Sequence, residues 1–213
     1  MPEQPSGDDL PEIRTRWSEV SGGIEAAYAY RQRFDDLVEQ GVDVHGEARL
    51  VTALRPPPSR VLDAGCGEGR IASRLTWLGH DVVGVDADRH LLELAEERDT
   101  QTRFVVADLA TLSLRSQSFD LILLAGNVVP YLADGTLVDV LRRLRQHLDA
   151  GGLLVTGYSL PGSQPRGAAE VSVRDFERAA FAAGLALVQQ YASWDRAPWP
   201  GDGTYRLSLH RPA

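Results

Sequence analysis

Three glycines at alternate positions, Gly65, Gly67 and Gly69, follow a short apolar run in this chain of 213 residues. The run, 60–64, is suited to a buried strand, and apolar residues at helical spacing begin just after the glycines. Glycine lets the backbone turn tightly and brings its N–H groups close to a ligand, because no Cβ stands in the way. The segment therefore predicts a strand–loop–helix unit that binds a ligand at the loop.

Acidic residues stand at the ends of three predicted strands around this loop. Asp63 comes just before the glycines, and Asp86 and Asp108 end the next two apolar runs. In a doubly wound sheet the carboxyl ends of the strands share one edge, where ligands bind. There Asp63 attracts a cationic amino-acid group, Asp86 can accept hydrogen bonds from both hydroxyls of a ribose, and Asp108 is placed for the exocyclic amine of a purine. Each acid alone is equally explained as a helix N-cap or a turn residue, but the three in register favour one binding crevice.

A dinucleotide fingerprint is the alternative explanation of the glycine loop. That fingerprint is G-x-G-x-x-G, whereas this chain has G-x-G-x-G, with Arg70 where the last glycine would fall. Asp63 would also repel a pyrophosphate. Both departures disfavour an oxidoreductase that binds a nicotinamide dinucleotide, which stays an alternative hypothesis.

Apolar runs and helical patterns alternate along the rest of the chain. Strands are predicted over 60–64, 81–85, 102–106, 119–125, 153–158, 185–191 and 205–210. A helix over 134–148 is expected to end at Gly151 and Gly152. No helix joins the last two strands, and consecutive strands without a crossover helix pair antiparallel. The order predicts an α/β fold with a doubly wound, mainly parallel seven-stranded sheet that closes in a C-terminal antiparallel hairpin.

The N-terminal part divides into two predicted segments. Residues 1–9 are rich in proline, glycine and acid and predict a flexible tail. Residues 10–55 carry helical patterns and predict a helical extension that closes over the crevice as a lid. Three prolines, 56–58, then separate this lid from the sheet domain, 56–213.

Composition restricts the partners of the chain. Thirty acidic residues against 22 basic ones give a net charge of −8, which repels polyphosphate and disfavours a nucleic-acid partner. The densest basic cluster, Arg142, Arg143 and Arg145, follows an amphipathic helical pattern and is interpreted as a solvated face. The single cysteine, Cys66, excludes an intramolecular disulfide, and no apolar run approaches the roughly 18 residues of a membrane span. We therefore expect a cytoplasmic protein with no membrane partner and, since no metal-ligand spacing occurs, no metal.

The chain resembles the class I S-adenosylmethionine-dependent methyltransferases over roughly residues 45–210. The likeness lies in the segment 63–69, in Asp86 and Asp108, and in the final strand pair. It implies a Rossmann-like fold that binds S-adenosyl-L-methionine and releases S-adenosyl-L-homocysteine. The glycine loop would hold the methionine portion, Asp86 the ribose and Asp108 the adenine amine. The cofactor residues that the resemblance implies are Asp63, Ala64, Gly65, Cys66, Gly67, Asp86, Ala87, Asp108, Leu109 and Asn127.

The acceptor is expected beside the cofactor, at loops that leave the same edge of the sheet. Methyl transfer is an in-line displacement, so the protein mainly positions the acceptor, and a base is needed only if a proton must leave. His45, at the start of the helix before the first strand, is the candidate base, although a histidine near a helix start more often has a structural role. Tyr28 and Tyr30 lie on opposite sides of a helix, so only one of them should face the site. The pocket residues that we predict are Trp17, Tyr30, Tyr131, Tyr158, Trp194 and Trp199, with ordinary packing as the alternative.

These observations predict a methyltransferase that acts on a small-molecule acceptor. A protein that binds S-adenosylmethionine without catalysis is the second hypothesis, because methyl transfer requires few catalytic side chains. The sequence names neither the acceptor nor the oligomeric state.

Overall fold

The structure is a computed structural model that describes residues 13–115 and 117–213. The predicted tail, 1–9, and the first residues of the predicted lid, 10–12, lie outside the described residues. The helices are α1 (Arg16–Val20), α2 (Ile24–Glu39), α3 (Gly46–Leu54), α4 (Arg70–Trp77), α5 (Arg89–Arg98), α6 (Val128–Tyr131), α7 (Leu137–His147) and α8 (Val173–Ala182). The strands are β1 (Arg60–Ala64), β2 (Asp81–Asp86), β3 (Arg103–Val106), β4 (Phe119–Leu124), β5 (Leu148–Ser159), β6 (Leu185–Tyr191) and β7 (Tyr205–Pro212).

The seven strands form one sheet in the order β3-β2-β1-β4-β5-β7-β6. Neighbours from β3 to β5 pair in parallel, whereas β7 pairs antiparallel with both β5 and β6. The predicted fold class is therefore confirmed. The strand order reverses between β1 and β4, which is where a doubly wound sheet binds its ligand.

Helices cover both faces of the sheet because alternate strand residues point to opposite faces. Val61 and Leu121 pack with α3 and α4 on one face. Leu62 and Ile122 pack with α7 and α8 on the other. Both faces are apolar, as expected for buried parallel strands, so the sheet is a rigid base for the loops at its carboxyl edge.

One predicted boundary is wrong, at the start of β5. The helix α7 ends at His147, and the strand begins at Leu148, so Gly151 and Gly152 lie within β5 rather than at the end of the helix. Leu148 is already paired with Phe119, and a bulge between Phe119 and Leu121 accommodates the irregular start of the strand.

The described part of the N-terminal region is mainly helical, with short loops between α1, α2 and α3. The helices α1 and α2 lie over the cavity edge, where the Trp17 indole N–H donates to Asp88 Oδ2 at 2.7 Å. By contrast, Leu50 and Val51 of α3 are buried in the core beside β1, so α3 belongs to the layers of the sheet. The boundary at Pro56 stays a prediction. None of the helices in the described ranges is long and apolar enough to cross a membrane.

Candidate functional site

The glycine loop between β1 and α4 is held tightly against its neighbours. The Gly65 and Cys66 N–H groups both donate to the Val85 carbonyl, at 2.7 and 3.0 Å. Gly65 has a φ of +79°, and a Cβ there would lie 2.8 Å from Val128 Cγ1 and closer still to Cγ2. Both the backbone angle and the close approach to α6 therefore require glycine at this position.

Asp86, at the end of β2, organises the loop from the other side. Its Oδ2 accepts from the Gly67 N–H at 2.7 Å, and its Oδ1 accepts from the Asp88 N–H at 2.9 Å. Burial raises the pKa of Asp86 to about 6, against the lowering effect of these backbone N–H groups. At neutral pH the carboxylate is therefore mainly ionised, and Asp86 also lines the cavity described next.

A cavity of about 530 Å³ opens at the carboxyl edge of the sheet, above β1, β2 and β4. This volume lies within the usual range of small-molecule sites, about 300–1,000 Å³. The predicted cofactor residues that line it are Gly65, Gly67, Asp86, Ala87, Asp108, Leu109 and Asn127. The predicted pocket residues that line it are Trp17, Tyr30, Tyr131 and Trp194.

The residues that line the cavity fall into two groups, according to the strands and helices that carry them. One part, the β2–β3 half, lies over the ends of β2 and β3 and is lined by Gly67, Asp86, Ala87, Asp108 and Leu109. The other part, called here the β7 half, consists of lining residues near the start of β7 and of α3: Phe34, Glu47, Arg70, Trp194 and Tyr205.

Three predicted cofactor residues lie outside the cavity lining. Asp63 and Ala64 are buried beneath the loop. The Cys66 sulfur points away from the cavity, towards Gly84. Burial raises the pKa of Asp63 to about 7, and the nearby Arg70 guanidinium opposes that rise. These three residues lie under the loop and do not line the cavity.

Tyr158 and Trp199 were predicted in the pocket, and the structure places both elsewhere. A Cβ at Gly157 would lie 2.6 Å from the Trp194 ring, so Gly157 faces the β7 half. Its neighbour Tyr158 must then face the opposite side of the sheet. There it is fully buried, with its ring 5.5 Å from that of Phe176. Trp199 packs against the same apolar core as Phe176.

His45, the predicted base, does not line the cavity either. It is the residue before α3, and its backbone N–H donates to Asp43 Oδ1. Burial and the charges of Arg70 and Arg74 lower the pKa of His45. Glu47, two residues further along the helix, lines the cavity instead, because two helical residues are about 200° apart around the axis.

The polar floor of the β7 half is an ion pair between Glu47 and Arg70. Glu47 Oε1 is 3.0 Å from Arg70 Nη2, and both side chains are 13% exposed. Arg70 also donates to the Val44 carbonyl and lies over the Phe34 ring at 4.4 Å from its centroid. Arg70, which stands where the dinucleotide fingerprint has its third glycine, therefore already interacts with a carboxylate, a carbonyl and an aromatic ring of the protein.

Tyr205 and Trp194 form the wall opposite this pair. Their ring centroids are 6.4 Å apart. Burial and the Glu47 charge raise the pKa of Tyr205 far above its ordinary value, so its hydroxyl stays protonated.

The helices α1 and α2, in the predicted lid, contribute a group of aromatic rings in edge-to-face contact. Trp17 makes edge contacts with Tyr30 and Tyr131, at 5.8 and 5.4 Å between centroids, and Tyr30 makes a similar contact with Phe34 at 5.2 Å. Tyr30 lines the cavity whereas Tyr28 is half exposed and is not among the lining residues.

The cavity is also lined by four residues that were not predicted there from the sequence: Arg33, Phe34, Ser193 and Tyr205. A signal for two of them was present, because Arg33 and Phe34 follow Tyr30 by three and four residues and share its helix face. Ser193 and Tyr205 had no such signal, because their places depend on the antiparallel pairing of β7.

Asn127 connects two of the cavity loops. Its φ is +69°, and its Oδ1 accepts from the Ser159 N–H at 2.7 Å. This bond ties the loop after β4 to the end of β5 and fixes the floor of the cavity between them.

The fold and this site together define an α/β protein that binds a ligand over the glycine loop, and comparison with known proteins identifies the family. The family described as methyltransferase domain matches residues 61–152. A demethylmenaquinone methyltransferase of Thermotoga maritima is 30% identical over 68% of this chain and 67% of its own length. A malonyl-[acyl-carrier protein] O-methyltransferase of Enterobacter lignolyticus is 33% identical, over 45% of this chain and 37% of its own length.

A solved structure supports the same family. The TehB-like S-adenosylmethionine-dependent methyltransferase of Corynebacterium glutamicum is 34% identical and superimposes with a TM-score of 0.82, over 89% of this chain and 99% of its own. The chain therefore belongs to the class I S-adenosylmethionine-dependent methyltransferases, and the predicted family and cofactor are confirmed. The matches to the first curated relatives span less than half of their lengths, 37%, 41% and 47%.

The residues present fit S-adenosylmethionine. A Cβ built on Gly67 would have only atoms of Tyr30 within 4 Å, and a Cβ built on Gly126 would have no atom within 4 Å. Both glycines therefore leave space for a ligand above the loop. Asp86 offers an ionised carboxylate to a ribose, as predicted. The dinucleotide alternative gains no support, because β7 is inserted between β5 and β6, unlike the strand order 3-2-1-4-5-6 of dinucleotide-binding sheets.

Proposed function

We propose that this chain transfers a methyl group from S-adenosylmethionine to a small-molecule acceptor. The observation that carries this proposal is that residues other than those assigned to the cofactor also line the cavity, among them Glu47, Trp194 and Tyr205. An acceptor bound beside the cofactor would contact these residues.

The proposed reaction is an in-line displacement. When bound, S-adenosylmethionine supplies a methyl group on a sulfonium, which an acceptor atom displaces to leave S-adenosylhomocysteine. Asp86 would bind the ribose and Asp108 the adenine amine, so the β2–β3 half orients the cofactor. The aromatic rings of the lid, Trp17, Tyr30 and Tyr131, would exclude water. Most of the rate enhancement then comes from positioning the two reactants.

A small-molecule acceptor is supported by the size of the cavity, about 530 Å³, and by the charge of the chain. The relatives' names also point this way, since they refer to malonyl-[acyl-carrier protein] and demethylmenaquinone. The net charge of −8 opposes a nucleic-acid acceptor. The single cysteine suits a reducing compartment, and we propose a cytoplasmic location on that ground.

Transfer of labelled methyl groups tests the proposal directly. The protein is incubated with methyl-tritiated S-adenosylmethionine and a cell extract separated into small-molecule, protein and nucleic-acid fractions. We expect label to enter the small-molecule fraction, with a large loss of transfer in Asp86→Asn and none in the surface control Asp139→Asn.

Two outcomes would contradict the proposed function. Label in the protein or nucleic-acid fraction would mean that the acceptor is a macromolecule. No transfer to any fraction, together with tight binding of S-adenosylhomocysteine, would favour the alternative of a binding protein without catalysis.

A further inference from the structure

Asp88, the residue before α5, uses its two carboxylate oxygens for different purposes. Its Oδ1 accepts from the backbone N–H groups of His90 and Leu91, at 2.9 and 3.4 Å, and so caps the helix. Its Oδ2 accepts from the Trp17 indole N–H at 2.7 Å. A helix cap needs only one side-chain oxygen, so the second oxygen is available for a separate role.

The backbone of Asp88 places this contact beside the residue assigned to the ribose. Its N–H donates to Asp86 Oδ1 at 2.9 Å. Asp86 lines the same cavity as Thr15 and Trp17, which precede and belong to α1. A ligand held by Asp86 therefore shares the cavity with α1.

The helix α1 reaches from α5 to the opposite side of the cavity. There Arg16 Nε is 2.8 Å from Asp134 Oδ1, just after α6, and the Trp17 ring makes its edge contact with Tyr131 of α6. The helix α5 follows β2 and α6 follows β4, and β1 lies between these two strands. Because the glycine loop follows β1, α1 crosses above this loop.

The helix α1 is attached less firmly than α2. None of its five residues is buried, and its ion pair with Asp134 is exposed to solvent, where such pairs contribute little. By contrast, α2 buries Ala27 against Leu91 and Leu94 of α5. Two glycines, 22–23, separate the two helices and permit a change of chain direction. The helix α1 is therefore the part of the lid that can move while α2 stays bound to α5.

We propose that the Trp17–Asp88 hydrogen bond is a latch, which holds α1 across the glycine loop and sets the rate at which S-adenosylmethionine enters and S-adenosylhomocysteine leaves. Hydrogen bonds to a carboxylate are stronger than those between neutral groups, and this bond must break whenever α1 moves aside. Asp88 does not line the cavity, so it is a positioning residue that acts through Trp17. The latch concerns the cofactor alone and does not depend on the identity of the acceptor.

The substitution Asp88→Asn separates the latch from the helix cap. Asparagine caps helices about as well as aspartate, but the amide group in the place of Oδ2 donates and cannot accept from the Trp17 indole. Trp17→Phe removes the same bond from the other partner, and it lies outside the layers of the sheet. Trp77→Phe, on an exposed face of α4, is the control for loss of an indole.

Release of tritiated S-adenosylhomocysteine into an excess of the unlabelled compound measures the dissociation rate, and calorimetry measures the dissociation constant. We expect the dissociation rate to rise about tenfold in Asp88→Asn and in Trp17→Phe, and to stay unchanged in Trp77→Phe. The dissociation constant should change less than about twofold, because a weaker latch raises the association rate by a similar factor. The double variant Asp88→Asn/Trp17→Phe should release the compound no faster than either single variant, since both substitutions remove one bond.

Three results would overturn the latch. An unchanged dissociation rate in Trp17→Phe or in Asp88→Asn would show that this bond does not control exchange. Increases that multiply in the double variant would mean that the two side chains act independently of each other. A larger dissociation constant with an unchanged association rate would make Asp88 a contributor to cofactor affinity instead. Failure of the unmodified protein to bind S-adenosylhomocysteine would contradict the proposed function itself.

Discussion

The two halves of the cavity are built in different ways. The β2–β3 half comes from one stretch of chain, 65–109, and its shape is set by backbone angles and by hydrogen bonds such as that from Gly67 to Asp86. The β7 half combines side chains from α2, α3, α4, the loop after β6 and the start of β7, with Phe34 and Tyr205 at its extremes in the sequence. The β2–β3 half is thus encoded locally, whereas the β7 half depends on the complete tertiary structure.

This difference explains what the sequence could predict. The spacing from Gly65 to Asp86 and Asp108 predicted the β2–β3 half, because strand ends share one edge whatever the details of packing. Helical geometry also predicted that only one of Tyr28 and Tyr30 faces the site, and in the structure Tyr30 lines the cavity.

Side-chain direction was the main source of error in the β7 half. Tyr158 was assigned to the pocket from its position at the end of β5, but a strand turns successive residues to opposite faces. His45 was chosen for its chemistry, while the start of α3 turns Glu47 to the cavity instead. Tyr205 depends on β7 pairing between β5 and β6, which no local pattern reveals.

The largest expected effect is in the glycine loop. Gly65→Ala should lower the free energy of unfolding by roughly 3 kcal/mol, because it adds a clash with Val128 to the cost of a left-handed backbone. Gly135→Ala is the matched control, since Gly135 has nearly the same φ, +77°, but open space around a Cβ. The control substitution should lower the free energy of unfolding by only about 1 kcal/mol. If urea unfolding gave the same loss of unfolding free energy for Gly65→Ala and Gly135→Ala, the close contact of the loop with α6 would not contribute to stability.

Asp86→Asn should have the next largest effect, and it should act on binding. We expect the affinity for S-adenosylhomocysteine to fall by about 1–3 kcal/mol, because a charge-assisted hydrogen bond to the ribose is lost. Asp139→Asn, at an exposed site on α7, is the control. An unchanged dissociation constant for Asp86→Asn would refute the ribose assignment and with it the role of the β2–β3 half.

Acidification should weaken the same interaction. The pKa of Asp86 is about 6 in the folded protein, and the ionised form is the better acceptor of ribose hydroxyls. Affinity for S-adenosylhomocysteine should therefore fall about tenfold between pH 7 and pH 5. Calorimetry across this range checks the effect, which should be absent in Asp86→Asn. A flat profile in the unmodified protein would mean that Asp86 does not contact the ligand.

The smallest effect is expected at the lid. Trp17→Phe removes the N–H that donates to Asp88 Oδ2 but keeps an aromatic ring between Tyr30 and Tyr131. The free energy of unfolding should fall by about 1 kcal/mol, with little change in cofactor affinity. Trp77→Phe, on an exposed face of α4, should change neither quantity. A large loss of cofactor affinity in Trp17→Phe would show that the lid and the β2–β3 half are not energetically separate.

Calorimetric titration with S-adenosylmethionine, S-adenosylhomocysteine, NAD and NADP tests the central claim most directly. We predict saturable binding, at micromolar concentrations typical of such cofactors, for the first two compounds and none for the dinucleotides. Binding of NAD or NADP in place of S-adenosylmethionine would contradict the assignment of the glycine loop and of the whole cavity above it.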